Sequence, residues 1–161
     1  MIVTRTPFRV SLGGGGTDLP SYYSQFGGFV VGAAINRYVY VMLNHRFEDS
    51  IRVSYSQTEI ADCADQVEHP IVREALKFVG LDRHLEIVSI ADLPANTGLG
   101  SSCSFTVGLL NALHALKREH VPLDELAEEA CHIEIDRLGE PIGKQDQYMA
   151  AFGGLTKLDI E

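Results

Sequence analysis

Residues 2–12 alternate along the chain: Ile2, Thr4, Thr6, Phe8, Val10 and Leu12 fall on one face, Arg5, Arg9 and Ser11 on the other. A period of two predicts a half-buried strand. Gly13 to Gly16 break it, and Thr17-Asp18-Leu19-Pro20 reads as a turn or helix entrance before Tyr22 and Tyr23. Three runs rich in Val, Ile and Tyr follow, Phe29–Ile35, Tyr38–Phe47 and Ile51–Tyr55, and predict an antiparallel meander. The acidic stretch from Gln57 to Glu68 reads as a surface connection. Beyond it Ile71, Val72, Ala75, Leu76 and Val79 recur at helical spacing up to Gly80.

Leu85–Ala91 predicts a further strand. Ser101–Lys117 carries Phe105, Val107, Leu109, Leu110, Leu113 and Leu116 with little polar interruption, as expected of a central helix buried on most sides. A second helix is predicted from about Leu123 to Leu138. A glycine-rich connection, a short helix around Gln147–Phe152 and a last strand from Leu155 complete the chain. Strands and helices in mixed order point to an α+β fold.

The 161 residues suit one domain, and 45% hydrophobic with 22% charged residues is ordinary globular composition. Apolar runs stop well short of the ~18 residues that span a bilayer, and Met1-Ile-Val-Thr-Arg lacks a signal-peptide core, so a cytoplasmic protein is expected. Cys63, Cys103 and Cys131 show no zinc spacing and read as reduced thiols. A formal charge of −9 disfavours nucleic acid and anionic membranes as partners. Any phosphate site must therefore be made positive locally, by backbone dipoles, a few basic side chains and a metal ion.

Pro94-Ala95-Asn96-Thr97-Gly98-Leu99-Gly100-Ser101-Ser102-Cys103-Ser104-Phe105 has the composition of such a site. Gly98 and Gly100 clear side chains from backbone N–H groups, Ser101 offers an N-cap oxygen, and the following helix aims its positive end at the loop. The other reading is an ordinary capped junction. No lysine lies between Pro94 and Leu116, which excludes a Walker loop, and Cys103 stands where a dinucleotide motif starting at Gly98 needs glycine. A thiol at a helix start is open to ionisation. Cys103 is read here as a small residue the loop tolerates.

Glu134 falls inside the apolar stripe Leu123, Leu126, Ala127, Ala130, Ile133 and Leu138. A buried carboxylate needs a cation or strong donors. Two readings stand: an i,i+3 ion pair with Arg137, or a magnesium ligand. Asp146 lies twelve positions on, in Gly143-Lys144-Gln-Asp-Gln-Tyr, and is either a helix N-cap or a second functional carboxylate, with Lys144 as a nearby cation or an anion ligand. Arg9 is a solvated strand arginine or a charge that steadies a transferring phosphoryl group.

Three segments carry a family resemblance. Pro94–Phe105 resembles the phosphate loop of the GHMP kinase superfamily, Pro-x-x-x-Gly-Leu-Gly-Ser-Ser. Pro7-Phe-Arg-Val-Ser-Leu with the glycines before Thr17-Asp18 resembles its N-terminal motif, and Gly143–Tyr148 with Gly153-Gly154 resembles the segment bearing its catalytic aspartate. The resemblance implies a ribosomal protein S5 domain 2-like fold with a left-handed βαβ unit, a mixed, mostly antiparallel sheet and helices on one side. It implies ATP and Mg2+ as cofactors. Asp146 then matches the residue that deprotonates or orients the attacking hydroxyl, and Arg9 the arginine beside it. Ser102 and Glu134 match the magnesium ligands, Pro94 and Asn96 to Ser104 the loop around the ATP phosphates, and Thr17 and Asp18, next to Gly15 and Gly16, the acceptor site.

Galactokinases carry Glu-His where this chain has Gly15 and Gly16, which leaves room for a larger acceptor. Within the superfamily the chain most resembles the heptose 7-phosphate kinase branch, so the acceptor implied is the anomeric hydroxyl of a sugar phosphate, with Lys144 beside its anionic group. Galactokinase-, fucokinase- and glucuronokinase-like acceptors remain alternatives, and a non-catalytic binding module is the reading of another class. Family members are about twice as long. Residues 1–161 are thereby read as the N-terminal, ATP-binding domain, with the C-terminal domain absent from this chain and expected, or a second copy, as its partner.

Overall fold

The computed structural model describes residues 1–95 and 97–161. Alternation in the first segment gives strand β1 (Ile2–Gly13), with Thr4, Thr6 and Phe8 buried. A short helix α1 (Pro20–Phe26) leads into β2 (Gly28–His45), and the first two of the three predicted strands prove to be this one 18-residue strand. Its pairing with β1 is antiparallel and shifts register between Pro7 and Arg9. Such irregularities bend a strand and re-aim the side chain next to them. Arg9 is that side chain.

The expected meander does not form. β3 (Ile51–Ser54) pairs instead with β4 (Thr58–Ala61), inside the stretch read as a surface connection, and in parallel with β5 (Leu85–Ala91). β5 lies between β2 and β3, antiparallel to β2, giving the order β1-β2-β5-β3-β4, while the last strand, β6 (Leu155–Ile160), pairs with the first half of β2. One parallel junction in a six-stranded sheet fits the mixed, mostly antiparallel expectation. The crossover from β3 to β5 contains a turn of 3-10 helix (Ala64–Gln66) and α2 (Pro70–Val79), closed by left-handed Gly80 as its sequence predicts.

The core lies between the sheet and α3 (Ser101–Lys117). Val39, Val41, Leu43, Ile51 and Ile87 meet Leu109, Leu110 and Leu113 with no exposed surface or almost none. Removing this apolar area from water is the main stabilising term. The other face of the sheet keeps Val3 of β1 and Ile90 of β5 half exposed. The predicted second helix begins as α4 (Leu123–Cys131) and passes into a π-helix over His132–Arg137. The bond from Leu138 N–H to Ile133 O spans five residues instead of four. α5 (Gln145–Phe152) then packs beside α3 and α4. Among the described residues no helix is long and apolar enough to cross a membrane.

Gly108 is the point at which α3 rests on β1. Thr4 Oγ1 donates to Gly108 O at 2.8 Å, and a Cβ at Gly108 would stand 2.6 Å from Thr6 Oγ1. Gly→Ala inside a helix gains about 1 kcal/mol from propensity, whereas overpacking costs about 1–3 kcal/mol. Overpacking is expected to win here. Gly108→Ala lowers the midpoint of thermal unfolding by several degrees in differential scanning fluorimetry; an increase would show that β1 yields freely.

Candidate functional site

The loop before α3 and the first turn of that helix are fixed to β1 by two hydrogen bonds. Arg9 N–H donates to Leu99 O at 3.2 Å, and Ser104 Oγ donates to Pro7 O at 2.8 Å. The N-cap of α3 is Gly100, in left-handed conformation at φ +75°, and not Ser101, which is the first helical residue. The helix's first backbone bond runs from Ser104 N–H to Gly100 O. The N–H groups of Ser101, Ser102 and Cys103 therefore precede any helical acceptor, and among the described residues no side chain caps them. An uncapped, glycine-entered helix start is a ready anion site. Pro94, Thr97, Gly98 and Leu99 lie in the turn leading to it, with Thr97 Oγ1 donating to Pro94 O; Asn96 lies outside the described residues.

Arg9 makes a fork across this loop. Its Nη1 donates to Gly98 O at 2.7 Å, while Nε and Nη2 donate to Asp146 Oδ1 and Oδ2 at 2.6 and 2.5 Å. The two side chains are 12% and 17% exposed, so the bidentate pair is shielded from most of the solvent screening that weakens surface ion pairs. Asp146 stands in the first turn of α5, whose N-cap is Lys144, so the N-cap reading of Asp146 falls away. Arg9 likewise is no solvated strand residue.

Glu134 is fully buried and its oxygens receive neutral donors: Ser102 Oγ on Oε1 and Gln147 Nε2 on Oε2, both at 2.7 Å. Arg137 is not its partner. That guanidinium approaches Glu74 at 3.5 Å and lies over the Phe78 ring. Burial raises the Glu134 carboxyl above its ordinary value, and the hydrogen bonds from Ser102 and Gln147 only partly oppose this. A buried carboxyl so placed is suited to an incoming cation. Among the described residues no cluster of three or more His, Cys, Asp and Glu forms a metal cage. Ser102 and Glu134 nevertheless fit Mg2+, which commonly takes one or two protein oxygens and fills its remaining positions with phosphate oxygens and water.

Cys103 is buried between these groups, its Sγ 3.8 Å from Asp146 Oδ2. Burial, then the charges of Glu134 and Asp146, push the thiol well above its ordinary value. Ionisation at the helix start is thereby suppressed, in keeping with a tolerated small residue. Gln147, absent from the sequence-based set, is fully buried, and its Oε1 has no partner among the described residues. The signal it offered was a polar residue next to Met149 and Ala150 on the inward face of a short helix.

Two clefts flank the start of α3. The larger, about 800 Å3, is lined by Ser101 and Ser102 at its base and by Tyr55, His69, Leu93 and Phe105 on its walls. His69 packs edge-on to Tyr55 at 4.8 Å and against Phe105 at 5.2 Å, and burial lowers its pKa, favouring a neutral ring. The smaller, about 290 Å3, is bordered by Arg9, Asp146, Gly16, Asp18, Gly143 and Gln145. Gly15 is exposed in the same turn. Thr17 Oγ1 is engaged with Gly14 O and with the backbone of Phe29. Lys144 Nζ bonds both oxygens of Glu128, at 3.0 and 2.8 Å, and lines a separate depression with Tyr23 and His132.

The family model described as the GHMP kinases N terminal domain matches residues 70–154. The chain is 30% identical to D-glycero-alpha-D-manno-heptose 7-phosphate kinase of Campylobacter jejuni, over 99% of this chain and 50% of that protein. It is 29% identical to a galactokinase of Roseiflexus, over 94% of this chain and 40% of that one. Its fold superimposes with a TM-score of 0.90 on the crystal structure of a D-glycero-D-manno-heptose 1-phosphate kinase from Bacteriodes thetaiotaomicron, at 27% identity, covering 99% of this chain and 56% of that chain. The Methanococcus jannaschii mevalonate kinase, at 17% identity, shares the fold with a TM-score of 0.79, over 98% of this chain and 53% of its own. The chain spans about half the length of the curated relatives it matches.

The raised Glu134 carboxyl has a stability consequence of definite sign. An acid whose pKa is raised on folding contributes most below its unfolded value, and that contribution is lost as pH rises through the folded value. Glu134→Gln cannot ionise, and a flip of the Gln147 amide matches donors to acceptors again. In metal-free buffer near neutral pH the variant is expected to melt at or up to about 4 °C above wild type. The second readout is the melting shift on adding ATP with Mg2+ over ATP alone, which is expected to be smaller in the variant than in wild type. A variant that melts lower yet keeps the full magnesium effect would remove Glu134 from the cation site.

Proposed function

The chain belongs to the GHMP kinases, and from that premise we propose that it is the nucleotide-binding part of a kinase transferring the γ-phosphoryl group of ATP to the anomeric hydroxyl of a sugar phosphate. The observation that carries this reading is the Arg9–Asp146 pair, held at the mouth of the smaller cleft and tied by the same guanidinium to Gly98 of the anion-binding loop. In this reading donor and acceptor sites meet at one side chain.

In this reading the nucleoside lies in the aromatic-walled cleft and its phosphates lie along Pro94 to Ser104, on the free N–H groups of Ser101, Ser102 and Cys103. Ser102 and Glu134 would hold Mg2+, which would supply neutralisation of the phosphate charge. Asp146 orients the acceptor hydroxyl and takes its proton as the new oxygen–phosphorus bond forms and the bond to ADP breaks. Arg9 holds Asp146 in place and meets charge developing on the transferred group. No covalent enzyme intermediate is required. Thr17 with Gly15 and Gly16 shapes the acceptor turn. Lys144 reaches an anionic substituent by exchanging its Glu128 partner for it.

A heptose 7-phosphate is the acceptor best supported, by the kinase named for that substrate at 30% identity and by the uncrowded glycine turn. Galactose is the second reading, favoured by galactokinase relatives at 29% identity. A panel of free and phosphorylated sugars, with product position read by phosphorus NMR, distinguishes them. In the native protein Asp146→Asn is expected to lower kcat at least about 100-fold with nucleotide affinity unchanged. Turnover near wild type would withdraw the role given to Asp146.

A further inference from the structure

Asp18 is among the least exposed charged residues in the protein, at 1%. The resemblance to sugar kinases places it as an acceptor contact, but its two oxygens are otherwise committed. Oδ1 accepts from Gly16 N–H at 3.0 Å, and Oδ2 accepts from Gln145 N–H at 3.1 Å, across 127 positions of sequence. Gln145 is the first residue of α5, and among the described residues no side chain of its own segment caps that helix. Asp18 therefore supplies from a distant turn the carboxylate that a helix start favours.

The next residue in α5 is Asp146. A peptide pinned at Gln145 N–H fixes the first turn from which Asp146 reaches Arg9. Packing is tight on the same atoms: a Cβ at Gly143 would stand 2.0 Å from Asp18 Oδ2 and 2.3 Å from Cγ, so only glycine lets the 143–145 segment close on the carboxylate. We infer that Asp18 is a positioning residue, which sets Asp146 through the Gln145 peptide and couples the glycine turn at the acceptor cleft to the catalytic carboxylate. This inference rests on the kinase reading for its kinetic consequence. The tether itself does not.

The test uses Asp18→Ala, Asp18→Asn, Gly143→Ala and the Asp18→Ala/Gly143→Ala double variant of the native protein, each first checked for a native melting transition. Hydrogen exchange in the absence of substrate reads the tether. Exchange at Gln145 and its neighbours is expected to speed up roughly tenfold in Asp18→Ala and Gly143→Ala, with α3 unchanged. Steady-state kinetics reads the coupling. kcat should fall about 10- to 100-fold while the acceptor KM moves less than about threefold, and the double variant should lose less than the product of the single losses because Asp18→Ala vacates the space the new Cβ needs. Asp18→Asn, which keeps one acceptor oxygen, should fall between wild type and Asp18→Ala. Unchanged exchange at Gln145 in both Asp18 variants overturns the tether. A large rise in acceptor KM with kcat retained overturns the positioning role in favour of direct sugar contact. A wild-type protein that phosphorylates no sugar removes the kinase reading alone, and exchange then still decides whether Asp18 anchors α5.

Discussion

The guanidinium of Arg9 is the piece on which the site depends. It lies where β1 changes register against β2, and from there it holds Asp146 of α5 with two donors and Gly98 of the loop with a third. β1 and two segments that lie 89 and 137 positions from Arg9 are thereby fixed relative to one another. A lysine could not reproduce this, because it lacks the planar fork that binds both carboxylate oxygens while a third donor addresses a carbonyl. The rest of the fold can be seen as support for the fork. Ser104 holds the helix start to β1, α3 fills the core behind it, and Asp18 secures the start of α5.

A second constraint comes from burying Glu134. A carboxyl with no exposed surface, met among the described residues by the neutral donors of Ser102 and Gln147, is costly to ionise, and in the proposed reading a magnesium–phosphate complex would relieve that cost where an Arg partner would have cancelled the need for one. The π-helix over His132–Arg137 accompanies this placement. Its five-residue bonding changes the rotation of the helix end, and Arg137 emerges toward Glu74 and Phe78 while Glu134 faces Ser102. Such widened turns occur often at functional sites.

Much of this was legible in the sequence, for local reasons. Period-two alternation marks β1, helical spacing with terminal Gly80 marks α2, and the apolar run after Ser101 marks α3, because one face or most faces of each are buried. What escaped depends on distant partners. The insertion of β5 between β2 and β3 is set by pairing across the sheet, and four-residue β4 is too short to show a period. A π-turn leaves no mark in an apolar stripe, so Glu134 was legible as buried but its freedom from Arg137 was not. Gly100 replaced Ser101 as the cap since the loop needs a left-handed residue there. Asp18 in a turn likewise carries no sign of a partner 127 residues on.

The central claim is that Arg9 and Asp146 work as one unit in phosphoryl transfer, and a double-mutant cycle tests it most directly. With Arg9→Ala, Asp146→Ala and the pair together, kcat/KM for the phosphorylated acceptor is the quantity to measure. The account predicts that each single change removes nearly as much as both, as for residues that act as a unit. Losses that multiply independently would contradict it.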